Sequence, residues 1–213
     1  DFTSQGITLQ DFASLKNRII DSERNGYGTE LADILSTIDE QTAMDSETLK
    51  TRFWDMFIVD ALIGNWDRHN GNWGFLYNNA TDEVTLAPVF DCGSSLYPQA
   101  DEDLMKKILS DKNELNHRIF DIPLSAVTYN GKKINYFKFL SEGKFPDCNK
   151  ALKRIASRID IKKIYEIIDN TPTITELQKE FYKTMLTARK ERIIDFSLNK
   201  LKEKSKKHDD MQR

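Results

Sequence analysis

Between Asp45 and Leu86 the hydrophobic period of the chain changes once, from that of a helix to that of a strand, with a polar loop at the changeover. From Leu49 onward, Phe53, Trp54, Phe57, Ile58, Ala61 and Leu62 recur at spacings of three and four, the period of a helix. So broad an apolar stripe predicts a central, well-buried helix. Asp45 or Ser46 stands where an N-cap belongs, and Gly64-Asn65 supplies residues that tolerate the left-handed end of a helix. Past the loop, Trp73, Phe75 and Tyr77 alternate. Val84 and Leu86 alternate again beyond the polar stretch 78–82, which predicts a hairpin. A loop hung on a buried helix is a rigid place to hold reactive groups.

Elsewhere the period is helical. Thr8 is placed to cap a helix through Leu9, Phe12, Leu15, Ile19 and Ile20, and Thr29 a second through Leu31, Ile34, Leu35 and Ile38. Helical patterns resume near Asp101. After a turn at Tyr129-Asn130-Gly131-Lys132 three helices are expected, the last running from near Thr173 past Leu201. The expected class is therefore mainly α (α+β), with one globular unit over residues 1–205 and a charged tail, 206–213, that frays. A length of 213 residues, 39% hydrophobic and 31% charged, suits a soluble domain with a real core. No apolar run approaches the roughly 20 residues of a membrane span, and Phe53–Ile63 carries Asp55 and Asp60. Cys92 and Cys148 have no metal-ligand spacing, which points to a reduced, cytoplasmic setting. The first residue is Asp1, so the chain is expected to be a processed product or part of a longer one.

Charge is unevenly divided. Residues 1–100 hold six Lys/Arg against sixteen Asp/Glu, and the remainder holds 25 against 18. Within the acidic half lies the string Gly64-Asn65-Trp66-Asp67-Arg68-His69-Asn70-Gly71-Asn72, followed after the hairpin by Ala87-Pro88-Val89-Phe90-Asp91-Cys92-Gly93. If the hairpin folds symmetrically about Ala80, Asn72 lies opposite Pro88. Asp91 then stands within about 10 Å at roughly 3.3 Å per residue. A carboxylate and an amide oxygen so placed suit Mg²⁺, which completes its shell with water and phosphate oxygens. An Asp, an Asn five residues later and a second Asp past a hairpin follow the spacing of a kinase catalytic centre. Gly93 is expected to supply the sharp turn after Asp91.

The combination resembles the C-terminal lobe of the HipA-like serine/threonine kinases, the toxin kinases of bacterial persistence modules. Those carry a G-N-x-D-x-H-x-x-N loop and then a Pro–aromatic–Asp segment. The match covers roughly residues 49–96. The resemblance implies a protein-kinase-like helical lobe with Asp67 as catalytic base or positioning carboxylate, and with Asn72 and Asp91 holding Mg²⁺. It also implies ATP as phosphoryl donor, a protein Ser or Thr as acceptor, and a DNA-binding antitoxin as partner. Neither a membrane nor direct nucleic-acid binding is expected. None of the nine glycines forms G-x-G-x-x-G or a Walker loop, and only Lys16 and Lys50 precede the catalytic loop. The N-terminal lobe is thus expected to be absent from this sequence, and the lobe alone to be incomplete or inactive.

Plainer readings stand beside these. Asp67 and Asn72 are residue types that also cap turns. His69 is read either as a structural histidine or as the base of a phosphoinositide-kinase-type Asp-Arg-His-x-x-Asn loop. Arg68 is read either as a phosphate or substrate contact or as a salt-bridge partner for a nearby acid. A lipid kinase would want a basic surface near the site, where this half of the chain is acidic. A non-catalytic module on a degenerate lobe is the alternative from another class. A dinuclear phosphoesterase is discounted, because the chain has only His69, His117 and His208.

Overall fold

The computed structural model describes residues 6–20 and 25–211, with side chains up to residue 207. Its first element corrects the sequence expectation of a helix from Thr8. Residues Ile7–Asp11 form strand β1, and helix α1 (Phe12–Ile19) begins behind Asp11, whose carboxylate accepts from the Ser14 N–H at 2.7 Å. Ile7 and Leu9 alternate with polar residues, a pattern that suits an edge strand once a partner strand is present. Helix α2 (Leu31–Glu40) is likewise not capped by Thr29. Glu30 is its N-cap residue and makes no side-chain cap bond. The Glu30 carboxylate instead accepts from the Thr128 hydroxyl and from the N–H groups of Asn130 and Gly131.

Helix α3 (Ser46–Ile63) forms as its stripe predicts. The Asp45 carboxylate accepts from the Thr48 N–H at 2.8 Å, and Gly64 closes the helix in the left-handed region at φ 66°. Leu49, Trp54, Ile58 and Ala61 are at most 2% exposed. Burying each of the larger ones contributes about 1.5–3 kcal/mol. A 3₁₀ turn over Asn70–Asn72 then leads into strands β2 (Gly74–Asn78) and β3 (Glu83–Leu86). These complete an antiparallel sheet of order β1-β2-β3. Phe75 faces Leu86 and Tyr77 faces Val84, one residue away from a hairpin centred on Ala80.

Helices α4 (Glu102–Ser110) and α5 (Lys112–Phe120) follow, then a hairpin of strands β4 (Thr128–Tyr129) and β5 (Lys132–Lys133). Asn130 and Gly131 both take positive φ at its two-residue turn. The remainder corrects the expected three helices to five: α6 (Tyr136–Glu142), α7 (Pro146–Ala156), α8 (Ile161–Asp169), α9 (Glu176–Arg189) and α10 (Phe196–Met211). Gly143, in the left-handed region at φ 61°, separates α6 from α7. A capping box of Thr175 and Gln178 starts α9. A π-helical turn, Lys190–Asp195, joins α9 to α10, so the long helix expected from near Thr173 is present in two registers. Helix α10 takes in residues 206–211 of the expected tail, and residues 212–213 lie outside the described residues. Helices α7 and α9 pack on α3. Trp54 joins Phe57, Phe139 and Phe145 in the core. Among the described residues no helix is long and apolar enough to cross a membrane, and both cysteines are free.

Candidate active site

Gly64 turns the chain out of α3, and Asn65, fully buried, begins the loop. All of Asn65's polar groups are used. Its side-chain N–H donates to Asp60 Oδ1 at 2.9 Å, its Oδ1 accepts from the Asp67 N–H at 3.1 Å, and its carbonyl accepts from the Tyr136 hydroxyl at 2.7 Å. Burial drives the Tyr136 hydroxyl far above its ordinary pKa, so it stays a donor. Asp67 is thereby hung from both its neighbours. Its N–H is held by Asn65, and its carbonyl accepts from the His69 N–H at 2.8 Å and from Asn72 Nδ2 at 2.8 Å. The half-buried Asp67 carboxylate itself makes no protein hydrogen bond among the described residues.

Arg68 is the organising cation. Only 5% exposed, it donates from Nε to Asp60 Oδ2 at 3.1 Å and from Nη2 to Asp60 Oδ1 at 3.2 Å. Its Nη1 donates to the carbonyls of Asn72 at 2.7 Å, Phe90 and Asp91, and Nη2 also reaches Cys92 Sγ at 3.4 Å. One guanidinium thus joins α3, the loop carrying Asp67 and Asn72, and the segment carrying Asp91. Of the two sequence readings of Arg68 the structure shows the ion pair, with an acid eight residues upstream. Burial disfavours the cation, and the Asp60 carboxylate more than restores it, so Arg68 holds its proton above the ordinary arginine range. Burial pushes the Asp60 carboxyl upward against the pull of Arg68 and Asn65.

The remaining loop residues divide by task. Asn72, 6% exposed, commits its N–H to Asp67, which leaves Oδ1 as the atom available to a cation. His69 Nδ1 accepts from the Gly71 N–H at 3.0 Å, so the neutral ring carries its proton on Nε2. Asn70 is 1% exposed and reaches across to the segment before α2, donating to the carbonyls of Gly26 and Gly28. Trp73 packs flat on Phe12 with ring centroids 4.1 Å apart. The turn after the hairpin differs from expectation. Gly93 is not among the residues of positive φ; Asp91 itself takes the left-handed conformation at φ 53°. Aspartate visits that region more readily than most residues, and residues held in sparsely populated backbone regions cluster at functional sites.

Asp91 is exposed and Asn72 leaves its amide oxygen uncommitted; both are hard-oxygen donors of the kind that Mg²⁺ takes, with the rest of its shell filled by water and phosphate. Among the described residues no three His, Cys, Asp or Glu side chains gather as a metal cluster. The residue pattern of the HipA-like C-terminal domain matches positions 2–174, most of the chain. The chain belongs to that family.

Similarity to a known kinase extends over nearly all of the sequence. The chain is 50% identical over 209 residues to the serine/threonine-protein kinase CtkA of Helicobacter pylori (strain J99 / ATCC 700824), covering 98% of this chain and 64% of the relative. The crystal structure of a Helicobacter pylori proinflammatory kinase CtkA superposes with a TM-score of 0.93 at 50% identity, covering 96% of this chain and 75% of that one. The chain therefore spans a little under two thirds of the length of the curated kinase it matches. Sequence reasoning named Asp67, Arg68, His69, Asn72 and Asp91 within this HipA-like domain but not the groups that hold them. Asp60 was legible as an acid inside an apolar stripe. Asn65 was legible as the second position of the G-N-x-D-x-H-x-x-N string, though not as the residue that holds Asp67, whereas Asn70 and Tyr136 carry no spacing that distinguishes them from ordinary loop or core residues.

Proposed function

We propose that this chain supplies the catalytic and metal-binding lobe of an ATP- and Mg²⁺-dependent serine/threonine protein kinase. The observation that carries the reading is the Arg68 tie, which binds the loop of Asp67 and Asn72 and the Asp91 segment to a single guanidinium. In the reaction the hydroxyl oxygen of a protein Ser or Thr forms a bond to the γ-phosphorus of ATP. The bond from that phosphorus to the β–γ bridging oxygen breaks, and ADP leaves. Asp67, pinned through its backbone on both sides, orients the acceptor hydroxyl and takes its proton as the bond forms. His69 has no free lone pair on the neutral ring for that proton, which favours Asp67 over the lipid-kinase-type arrangement. Mg²⁺ held by Asn72 and Asp91 would neutralise charge on the transferring phosphates.

Support comes from the HipA-like domain match and from the 50% identity to a serine/threonine-protein kinase. Nucleotide covering, which this sequence does not provide in any glycine-rich loop, falls to the rest of the whole enzyme. A cytoplasmic setting is part of the proposal, in keeping with two free cysteines. The test is transfer of labelled γ-phosphate to protein Ser or Thr by the whole kinase and its Asp67→Ala variant. A loss of about 10²–10⁴-fold is expected for removing a positioned acid–base group, and undiminished transfer overturns the assignment.

A further inference from the structure

Tyr27 has no task in this chemistry, yet the protein goes to some length to place it. The residue is 51% exposed, while the backbone on either side is pinned from inside the loop that carries Asp67. Buried Asn70 donates to Gly26 O at 2.7 Å and to Gly28 O at 2.8 Å. Gly26 holds φ 78°, where a Cβ would lie 1.9 Å from the Ala13 carbonyl oxygen. The Tyr27 ring meets His69 edge-on with centroids 5.8 Å apart, and a Cβ on Gly71 would come within 2.9 Å of it. A buried amide is costly unless satisfied. Here the one lying between the proposed base Asp67 and metal ligand Asn72 gives both its bonds to presenting an exposed aromatic ring. An aromatic side chain offers a large, rigid contact area with little entropy to lose.

We propose that Tyr27 is a specificity-determining residue whose ring packs on a side chain flanking the phosphoacceptor Ser or Thr. The inference rests on the phosphoryl-transfer reading of Asp67. A polypeptide whose hydroxyl reaches Asp67 passes over the neighbouring loop residues; His69 is two along, and Tyr27 lies against it. The flanking side chain favoured is Arg or Lys, because the ring face attracts cations and residues 1–100 carry sixteen acids against six bases.

The test is a degenerate Ser/Thr peptide array phosphorylated by the whole kinase as wild type, Tyr27→Ala, Tyr27→Phe and Asp67→Ala. The wild type should select Arg or Lys at one flanking position, Tyr27→Phe should keep that selection, and Tyr27→Ala should lose it. On the best peptide Tyr27→Ala should raise KM about tenfold while kcat and the KM for ATP stay within about twofold. An array profile unchanged in Tyr27→Ala, or no basic selection by the wild type, overturns the role of Tyr27 alone when Asp67→Ala has cut labelling about a hundredfold or more. Labelling undiminished in Asp67→Ala, or absent from the wild type, overturns the reading beneath it and the inference with it. Circular dichroism of Tyr27→Ala separates a folding defect from lost recognition, and a profile changed equally in Tyr27→Phe counts against the ring face.

Discussion

Replacing Arg68 with methionine removes the guanidinium but leaves an unbranched side chain along the same path. In the native protein Arg68 satisfies both oxygens of Asp60 and the carbonyls of Asn72 and Phe90. The variant leaves Asp60, 2% exposed, with Asn65 as its remaining side-chain partner. Removing one member of a buried ion pair costs about 3–5 kcal/mol, and loss of the donor to the buried Asn72 carbonyl adds about 1–3 kcal/mol before relaxation. A total near 5 kcal/mol is a large share of the about 5–15 kcal/mol that holds a domain folded. Urea unfolding followed by fluorescence of the buried Trp54 and Trp73 measures it.

The loss should depend on pH in a stated direction. Burial already pushes the Asp60 carboxyl above its ordinary 3.8, and removing Arg68 takes away the main downward pull. Above 3.8 the folded variant then keeps a proton that its unfolded chain has released. Stability of the variant therefore falls as pH rises through that window, and the deficit against wild type should be smaller at pH 5 than at pH 8 (about the ends of a convenient range). Adding Asp60→Leu should recover much of the stability, because an apolar pair replaces an uncompensated charge, while phosphoryl transfer stays lost. A deficit below about 1 kcal/mol, or one that grows on acidification, would refute the account of Arg68 as a buried tie.

Three further outcomes follow from the structure. Gly74→Ala would put a Cβ 2.1 Å from the Gln10 carbonyl oxygen; a loss of about 3 kcal/mol is expected from such overpacking, with faster amide exchange over residues 7–11, and an unshifted Tm contradicts it. Tyr136→Phe leaves the Asn65 carbonyl without its hydroxyl donor and should cost about 1–3 kcal/mol in denaturant unfolding, whereas a neutral result would mean that the hydroxyl does not help hold the loop. Cys92 is exposed, while burial raises the Cys148 thiol well above its ordinary range. A thiol reagent at neutral pH should therefore label one cysteine in the native protein and the second only in denaturant; two fast thiols would contradict the packing of α7.

Where local chemistry decides a feature, the residues spell it out. Asp45 and Gly64 mark helix ends because capping needs only neighbours in the chain. The β2–β3 hairpin is legible because its strands alternate and its turn is short. Residues 7–11 are misread as helix because an edge strand takes its identity from its partner, and β2 lies more than sixty residues away. Glu30 displaces Thr29 at the start of α2 for the same reason, its carboxylate serving a turn a hundred residues on.

The site follows that division. By itself the sequence named the groups proposed to bear the chemistry: Asp67, Asn72 and Asp91 at kinase-like spacing after an apolar helix pattern. Only the tertiary structure decided how they are held, through Asp60 and Arg68 beneath the loop, Asn65 and Tyr136 behind it, and Asn70 reaching to Tyr27. Spacing along the chain reports what one helix, turn or hairpin can bring together. A buried cation satisfied by three separate segments depends on a dielectric and a set of partners that exist only once those segments have packed.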